Sequence, residues 1–444
     1  MEKIITTLCG KIKGYNCRLP GVTAFKGIRY ATAGRWEYPK QVTEWQGVYD
    51  AKSYGNCSYQ PRAFYNEEDN LKKIFYYNEF RRGEEYTYSE DCLFLNIWTP
   101  DDATPDTKLP VIVYIHGGGF TGGCGHEKHF DDPIWPTKGV VAVTINYRLG
   151  PLGFFCLPEL KEKDGNTGNY GLYDQLTALR WVKDNISSFG GDPNRVTIMG
   201  QSAGAMSVQL LCQTPLTDGL FSAAVMSSGC GMTNILMGTE EKSGAFWQKF
   251  MYSIGCNNLD ELRKIEPKKL FAHWQAKRKE IKGGVMAAFP VCDGKMVSRE
   301  FIPKNIPYIV GSNSHDMAPP ILFSMAKKWG RKQGLTSYTY MFDRMLPGDK
   351  NGAWHSADLW YWFGTLENGW RPFEKEDYQL SDNMTTILCN FAKNRNPNTE
   401  NTPEWKTTSK AKKVMCFGEG GTRISKPSQL RLTLTMLTNK SVGE

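Results

Sequence analysis

No apolar run in this chain approaches the ~18 residues needed to cross a bilayer. The longest, such as VIVYI at 111–115, are the size of a strand, so a soluble protein with no membrane partner is expected. The N-terminal stretch MEKIITTLCGKIKGYN has neither the apolar core nor the small-residue cleavage site of a signal peptide. It alternates as a strand does, so folded structure is expected to begin almost at Met1 and the location to be cytoplasmic. The twelve cysteines include no CxxC pair and are too dilute to build a disulfide scaffold, which favours free thiols in a reducing compartment. Concentrated charge is missing too. The net charge of +8 is spread along the chain, and its densest runs, KRKEIK at 277–282 and AKKWGRK at 326–332, are short and interrupted. Without a recognition motif they read as solvated faces, and no nucleic-acid partner is expected. Repeats, low-complexity tracts and long linkers are absent as well, so residues 1–444 read as one domain carrying insertions.

What is present is an alternation of β-branched and aromatic runs with helical patterns. VIVYIH at 111–116, VVAVTIN at 140–146, VTIMG at 196–200, AAVMSSG at 223–229, PYIVGS at 307–312 and TSYTYMF at 336–342 are continuous apolar strands. Strands of that kind are buried on both faces, which predicts an α/β fold with a mostly parallel central sheet flanked by helices. YDQLTALRWVKDNISSF at 173–189 has apolar residues at helical spacing and reads as the crossover before VTIMG. Residues 1–60 read as an antiparallel region feeding that sheet.

GQSAG at 200–204 follows VTIMG directly, and SAGAMSVQLLC at 202–212 continues as a helix. Composition alone yields about 0.3 matches to GxSxG in a chain like this one, so its context has to decide. Strand, sharp turn and helix form a nucleophile elbow, in which Ser202 is exposed at the carboxyl edge of the sheet and the N–H of Ala203 lies beside it. The competing reading is a serine that caps its helix. HGGGF at 116–120 weighs against that reading. It follows the strand VIVYI and offers Gly118 and Gly119 N–H groups to an incoming carbonyl oxygen, as an oxyanion hole requires. GGGFTG at 117–122 also matches the dinucleotide fingerprint GxGxxG, but CGHEKHFDDP follows where a helix would have to open. HEKH at 126–129 places its histidines three apart in a Gly- and Asp-rich loop, not four apart on a helix. A loop or pocket-wall role is expected, with no metal.

A serine nucleophile needs a base downstream, and His273, His315 and His355 are available. His273 sits in a basic helical segment. His355, in NGAWHSADLWYWFG, lies on a loop after the last apolar strand. Asp316 follows PYIVGSNSH, where an orienting acid belongs, and His315 beside it is the competing base. Phe120, Trp354, Trp360, Tyr361 and Trp362 crowd near these residues in sequence; Phe120 and Trp354 are candidate pocket walls, and core packing suits all five at least equally well.

Taken together, these motifs resemble the type-B carboxylesterase and cholinesterase-like branch of the α/β-hydrolases, of the bacterial carboxylesterase type. The resemblance spans nearly the whole chain: FKGIRYA at 25–31, SEDCLFLNIWTP at 89–100, HGGGF, NYRLGPLGF at 146–154, GNYGLYDQ at 168–175, FGGDPNRVTIMGQSAG at 189–204, GLFSAAVMSSG at 219–229, the GAWH of 352–355 and FAKNRNPN at 391–398 before Trp405. It implies Ser202 as nucleophile, His355 as general base, Asp316 as orienting acid, Gly118, Gly119 and Ala203 as oxyanion donors, and Ser228 as a serine next to the triad. The chain departs from the family pattern where Asp316 replaces the usual Glu, Gln201 the usual Glu before the nucleophile, and Arg29 the common Pro. Cys57 and Cys92 fall where secreted relatives form a disulfide, but Cys256 lacks the second partner of such relatives. Asp316 and His355 stand 39 positions apart, a span into which larger relatives insert helices. A reduced cap is therefore expected, with shortened segments at about 235–300 and 317–350, and a shallow, open pocket.

The implied activity is hydrolysis of a small-molecule carboxylic ester, short-chain or aryl, through an acyl-enzyme with no cofactor. A lipase or amidase with the same triad is the nearest alternative, and a non-catalytic binding module the more distant one. The sequence does not specify an oligomeric state.

Overall fold

The computed structural model describes residues 2–71, 73–165, 167–332 and 334–438. Twelve strands in one continuous pairing path form its central sheet. They are β1 (Glu2–Thr7), β2 (Gly10–Asn16), β3 (Val22–Arg29), β4 (Phe94–Pro100), β5 (Leu109–Ile115), β6 (Val141–Ile145), β7 (Gly191–Gln201), β8 (Ala223–Ser227), β9 (Tyr308–Asn313), β10 (Ser337–Asp343), β11 (Val414–Gly418) and β12 (Gly421–Ser425). Their spatial order is β1-β2-β3-β4-β6-β5-β7-β8-β9-β10-β11-β12, and the short strand Val48–Asp50 pairs beside β2. From β6 to β11 every pairing is parallel. The β1 to β4 end is antiparallel, as the alternating N-terminal sequence predicts.

The two-residue period of the strands divides the apolar side chains between two cores. Val111, Val113 and Ile115 of β5, Val196 and Ile198 of β7, and Tyr308 and Val310 of β9 join the core on one face. Ile112 and Tyr114, Met199, and Ile309 from the same strands join the other. Helix α1 (Tyr170–Asn185) lays Leu172, Leu176, Leu179 and Val182 onto the first core. Helix α4 (Lys375–Asn394) lays Leu380, Met384, Ile387 and Phe391 onto the second. The predicted crossover at 173–189 is thus α1 followed by a 3-10 turn, Ile186–Phe189, that ends at Gly190 with φ 82°.

The β8 to β9 connection is long, running from 228 to 307. Its helices Glu240–Ser253 and Pro267–Glu280 join the first core through Trp247 against Phe155 (4.8 Å between ring centroids) and through Phe271. The second expected cap segment, 317–350, is mostly something else. Helix α3 (Pro319–Gly330) is the crossover between β9 and β10, and β10 itself fills Ser337–Asp343. Parallel strands need such a crossover, so only the stretch after Asp343 remains as an insertion. No helix among the described residues is long and apolar enough to cross a membrane. All twelve cysteines are free thiols, and Cys57 is not bridged to Cys92.

Candidate active site

Ser202 sits at the turn from β7 into helix α2 (Ala203–Leu211), with φ 57° and ψ −126°, outside the regions that side-chain-bearing residues favour. The flanking glycines make that turn possible. A Cβ on Gly204 would lie 2.0 Å from the carbonyl oxygen of Ile115, and one on Gly200 would lie 2.4 Å from the backbone of Gly204. The elbow is held from the next strand, where the carbonyl of Ser227 accepts from the Ser202 N–H at 2.9 Å. The Ser202 hydroxyl caps nothing, which removes the helix-cap reading.

Gly118 (φ 102°) and Gly119 (φ 63°) face the same cavity, and the carbonyl of Gly118 accepts from Thr121 and Gly122 N–H, closing a tight loop. Among the described residues, the N–H groups of Gly118, Gly119 and Ala203 donate to no protein acceptor. They are unengaged donors at a sheet edge, with the Ala203 N–H opening a helix, and so are suited to stabilising negative charge.

Asp316 and His355 meet at 2.5 Å, Nδ1 to Oδ1, from the loops that follow β9 and β10. Asp316 also accepts from the N–H groups of Asn313 (3.2 Å) and Met317 (2.9 Å). Burial by itself would raise the Asp316 carboxyl, but the charge and donor of His355 reverse the shift and hold it below its ordinary value. Burial would likewise lower the His355 imidazole, yet the Asp316 charge and hydrogen bond outweigh it and hold the ring above its ordinary value. The remaining ring nitrogen, Nε2, is met by the side-chain amide of Gln201 at 3.2 Å. Ser228, with φ 53°, donates its backbone N–H to Gly311, and its buried hydroxyl stands next to Asp316 without hydrogen-bond geometry.

The sequence reading missed a second buried carboxylate. Asp358, three residues past His355, accepts from the Ser227 hydroxyl (2.6 Å), the Tyr340 hydroxyl (2.9 Å) and the Asn313 amide (3.2 Å). Burial pushes its carboxyl above the ordinary range against these three donors. The Asn313 amide also donates to the Trp354 carbonyl at 2.7 Å, so the ends of β8, β9 and β10 and the His355 loop are tied together at one point.

Ser202, His355, Gln201, Gly118 and Gly119 line a cavity of about 470 Å³ whose walls also include Tyr65, Tyr76, Phe80, Phe130 and Leu359, with Arg62 and Glu127 at one side. Phe120 and Trp354 are not among its walls. The positive φ of Phe120 (60°) turns its ring into the core against Phe154 and Phe289 (5.0 and 5.3 Å). Trp354 is buried behind the wall against Phe75 and Phe80 (5.1 and 5.7 Å). Trp360, Tyr361 and Trp362 are core residues. His315 turns away to Ser314 Oγ (3.0 Å), His273 is exposed, and His129 lines the cavity, packed on Phe80.

The family model described as "Carboxylesterase family" matches residues 1–333 and 319–433 of the chain. Para-nitrobenzyl esterase of Bacillus subtilis (strain 168) is 32% identical, with 90% of this chain and 91% of that one covered. Liver carboxylesterase 1 of Oryctolagus cuniculus is 37% identical over 57% of this chain and 44% of its own length. A solved structure described as a thermophilic PNB esterase superposes with a TM-score of 0.81 at 28% identity, covering 97% of this chain and 99% of that one.

Proposed function

The chain belongs to the carboxylesterase family and is a serine hydrolase acting on carboxylic esters, and we propose that Ser202, His355 and Asp316 carry its reaction. The His355 imidazole takes the Ser202 proton as the hydroxyl oxygen attacks the ester carbonyl, and the oxyanion is held by the N–H groups of Gly118, Gly119 and Ala203. His355 then returns the proton to the leaving alcohol. Water, activated by the same ring, attacks the acyl-enzyme, and Ser202 regains its proton as the acid departs. Asp316 fixes the ring so that Nε2 faces the serine and stabilises the imidazolium formed on the way. The single observation that carries this reading is the 2.5 Å Asp316–His355 pair, whose His355 lines the cavity that holds the strained Ser202.

The substrates are small aryl or short-chain esters. The aromatic wall formed by Tyr65, Tyr76, Phe80 and Phe130 supports this, as does the likeness to a para-nitrobenzyl esterase. Hydrolysis of p-nitrophenyl acetate and labelling by a fluorophosphonate probe test the site together. Both are expected in the wild type and both are lost in Ser202→Ala. Retention of near wild-type turnover in that variant would dismiss the assignment. A panel of p-nitrobenzyl and p-nitrophenyl esters, varied separately in acyl and alcohol parts, tests the substrate class, and a maximum at long acyl chains would make the protein a lipase instead.

A further inference from the structure

Behind the oxyanion loop, Cys57, Cys124 and His126 converge from two segments of chain, and none of them has a part in ester hydrolysis. Their sulfur and ring-nitrogen atoms all lie within 4.8 Å of one another, and all three residues are buried. The Cys57 sulfur is 3.5 Å from His126 Nε2. The imidazole is stacked on Tyr54 at 4.5 Å between centroids and 12° between planes, with Tyr86 on its other flank at 5.5 Å. Its Nδ1 and the Tyr86 hydroxyl are buried without a hydrogen-bond partner among the described residues. A buried hydroxyl left this way is costly, and beside a ring that meets a buried thiol through Nε2 it calls for an occupant.

We propose that Cys57, Cys124 and His126 bind one thiophilic divalent cation, zinc foremost. Two thiolates and an imidazole are the donor set that borderline-soft ions prefer over the oxygen ligands of magnesium or calcium. Charge argues the same way. Two thiolates cancel a dication, giving a neutral unit that can be buried. The Arg62 guanidinium, 3.9 Å from the Cys124 sulfur, adds no net charge because it is paired with Glu127 at 2.6 Å. The fourth ligand is water or the Tyr86 hydroxyl. The loop reading of HEKH thus holds for His129, whereas His126 is turned to a different task.

The site would brace the catalytic loop. Gln60, three residues after Cys57, clasps Gly123 through two hydrogen bonds (2.9 and 3.0 Å), and Gly123 closes the loop that begins with Gly117, Gly118 and Gly119. An ion joining Cys57 to Cys124 would be a second clasp in parallel with the first.

The test uses the full-length protein purified under reductant, with zinc and cobalt(II) as probes. One equivalent of zinc is expected to survive gel filtration. Cobalt in its place should show thiolate-to-metal charge-transfer absorption, and Cys124→Ser and His126→Gln should each weaken zinc binding at least tenfold. Cys292→Ser, outside the cluster, should bind as the wild type does. Circular dichroism reports whether each variant folds. If either does not, the wild type is alkylated under native conditions, and zinc should protect Cys57 and Cys124 from modification. Absence of zinc uptake by the reduced protein, unchanged uptake in both variants, lack of protection, or a Cys57–Cys124 disulfide in peptide mass spectra would each overturn the proposal.

Discussion

The side-chain amide nitrogen of Gln201 lies 3.2 Å from Nε2 of His355, so the ring nitrogen that must accept the serine proton is already occupied in the free protein. A hydrogen-bond donor there keeps Nε2 as the unprotonated nitrogen and leaves Nδ1–H for Asp316. A carboxylate in its place would instead favour the protonated ring. Gln201→Glu should therefore raise the apparent pKa of His355 by about one unit and move the acid limb of kcat/KM to higher pH. A pH–rate profile that superposes on that of the wild type would show that the contact has no electrostatic role.

The acid limb of the wild type is expected above the ordinary imidazole value of about 6.5, because Asp316 stabilises the charged ring. Protonated His355 cannot act as a base, so activity is lost as pH falls through that limb. Asp316→Asn removes the charge and leaves burial to dominate. The limb should then move to lower pH while kcat falls by about 10³–10⁴. An unmoved limb in this variant would mean that another carboxylate sets the ionisation of His355.

Asp358 is the shared acceptor of three buried donors. Asp358→Ala leaves them unpaired and should lower unfolding stability by about 3 kcal/mol or more in urea titration, with kcat reduced because the His355 loop loses its anchor. Wild-type stability would show that these hydroxyls and the amide find other partners.

Gly204→Ala places a Cβ 2.0 Å from the Ile115 carbonyl, a backbone group that cannot swing aside. The expected result is little or no folded protein at expression temperature, and any folded fraction should label slowly with fluorophosphonate. A variant that folds and reacts normally would mean that β5 can shift against α2, contrary to their packing.

The features readable from the sequence were those carried by contiguous residues. A strand running into GQSAG, and another running into HGGG, each specify a turn whose geometry is set within a few residues, and chain order then selects Asp316 and His355. Asp358 gave no such sign, because its partners Ser227, Asn313 and Tyr340 come from three strands that only the sheet order brings together. Phe120 and Trp354 misled through proximity. Trp354 forms a bridge with His315, an extended geometry in which successive side chains point to opposite sides, so the neighbour of His355 faces the core while His355 faces the cavity. The segment 317–350 has the length of a cap only beside larger proteins; joining β9 to β10 takes up most of it.

Ser227 is a joint between two assemblies. Its carbonyl holds the Ser202 elbow and its hydroxyl holds Asp358, through which Asn313 secures the acid and the histidine. The nucleophile and the acid–base pair are therefore two rigid plates riveted at one residue. Slippage of β8 against β9 would leave the Asp316–His355 bond intact and misalign it from its target, so partial heating should silence turnover while the histidine's ionisation still reports an undisturbed partner.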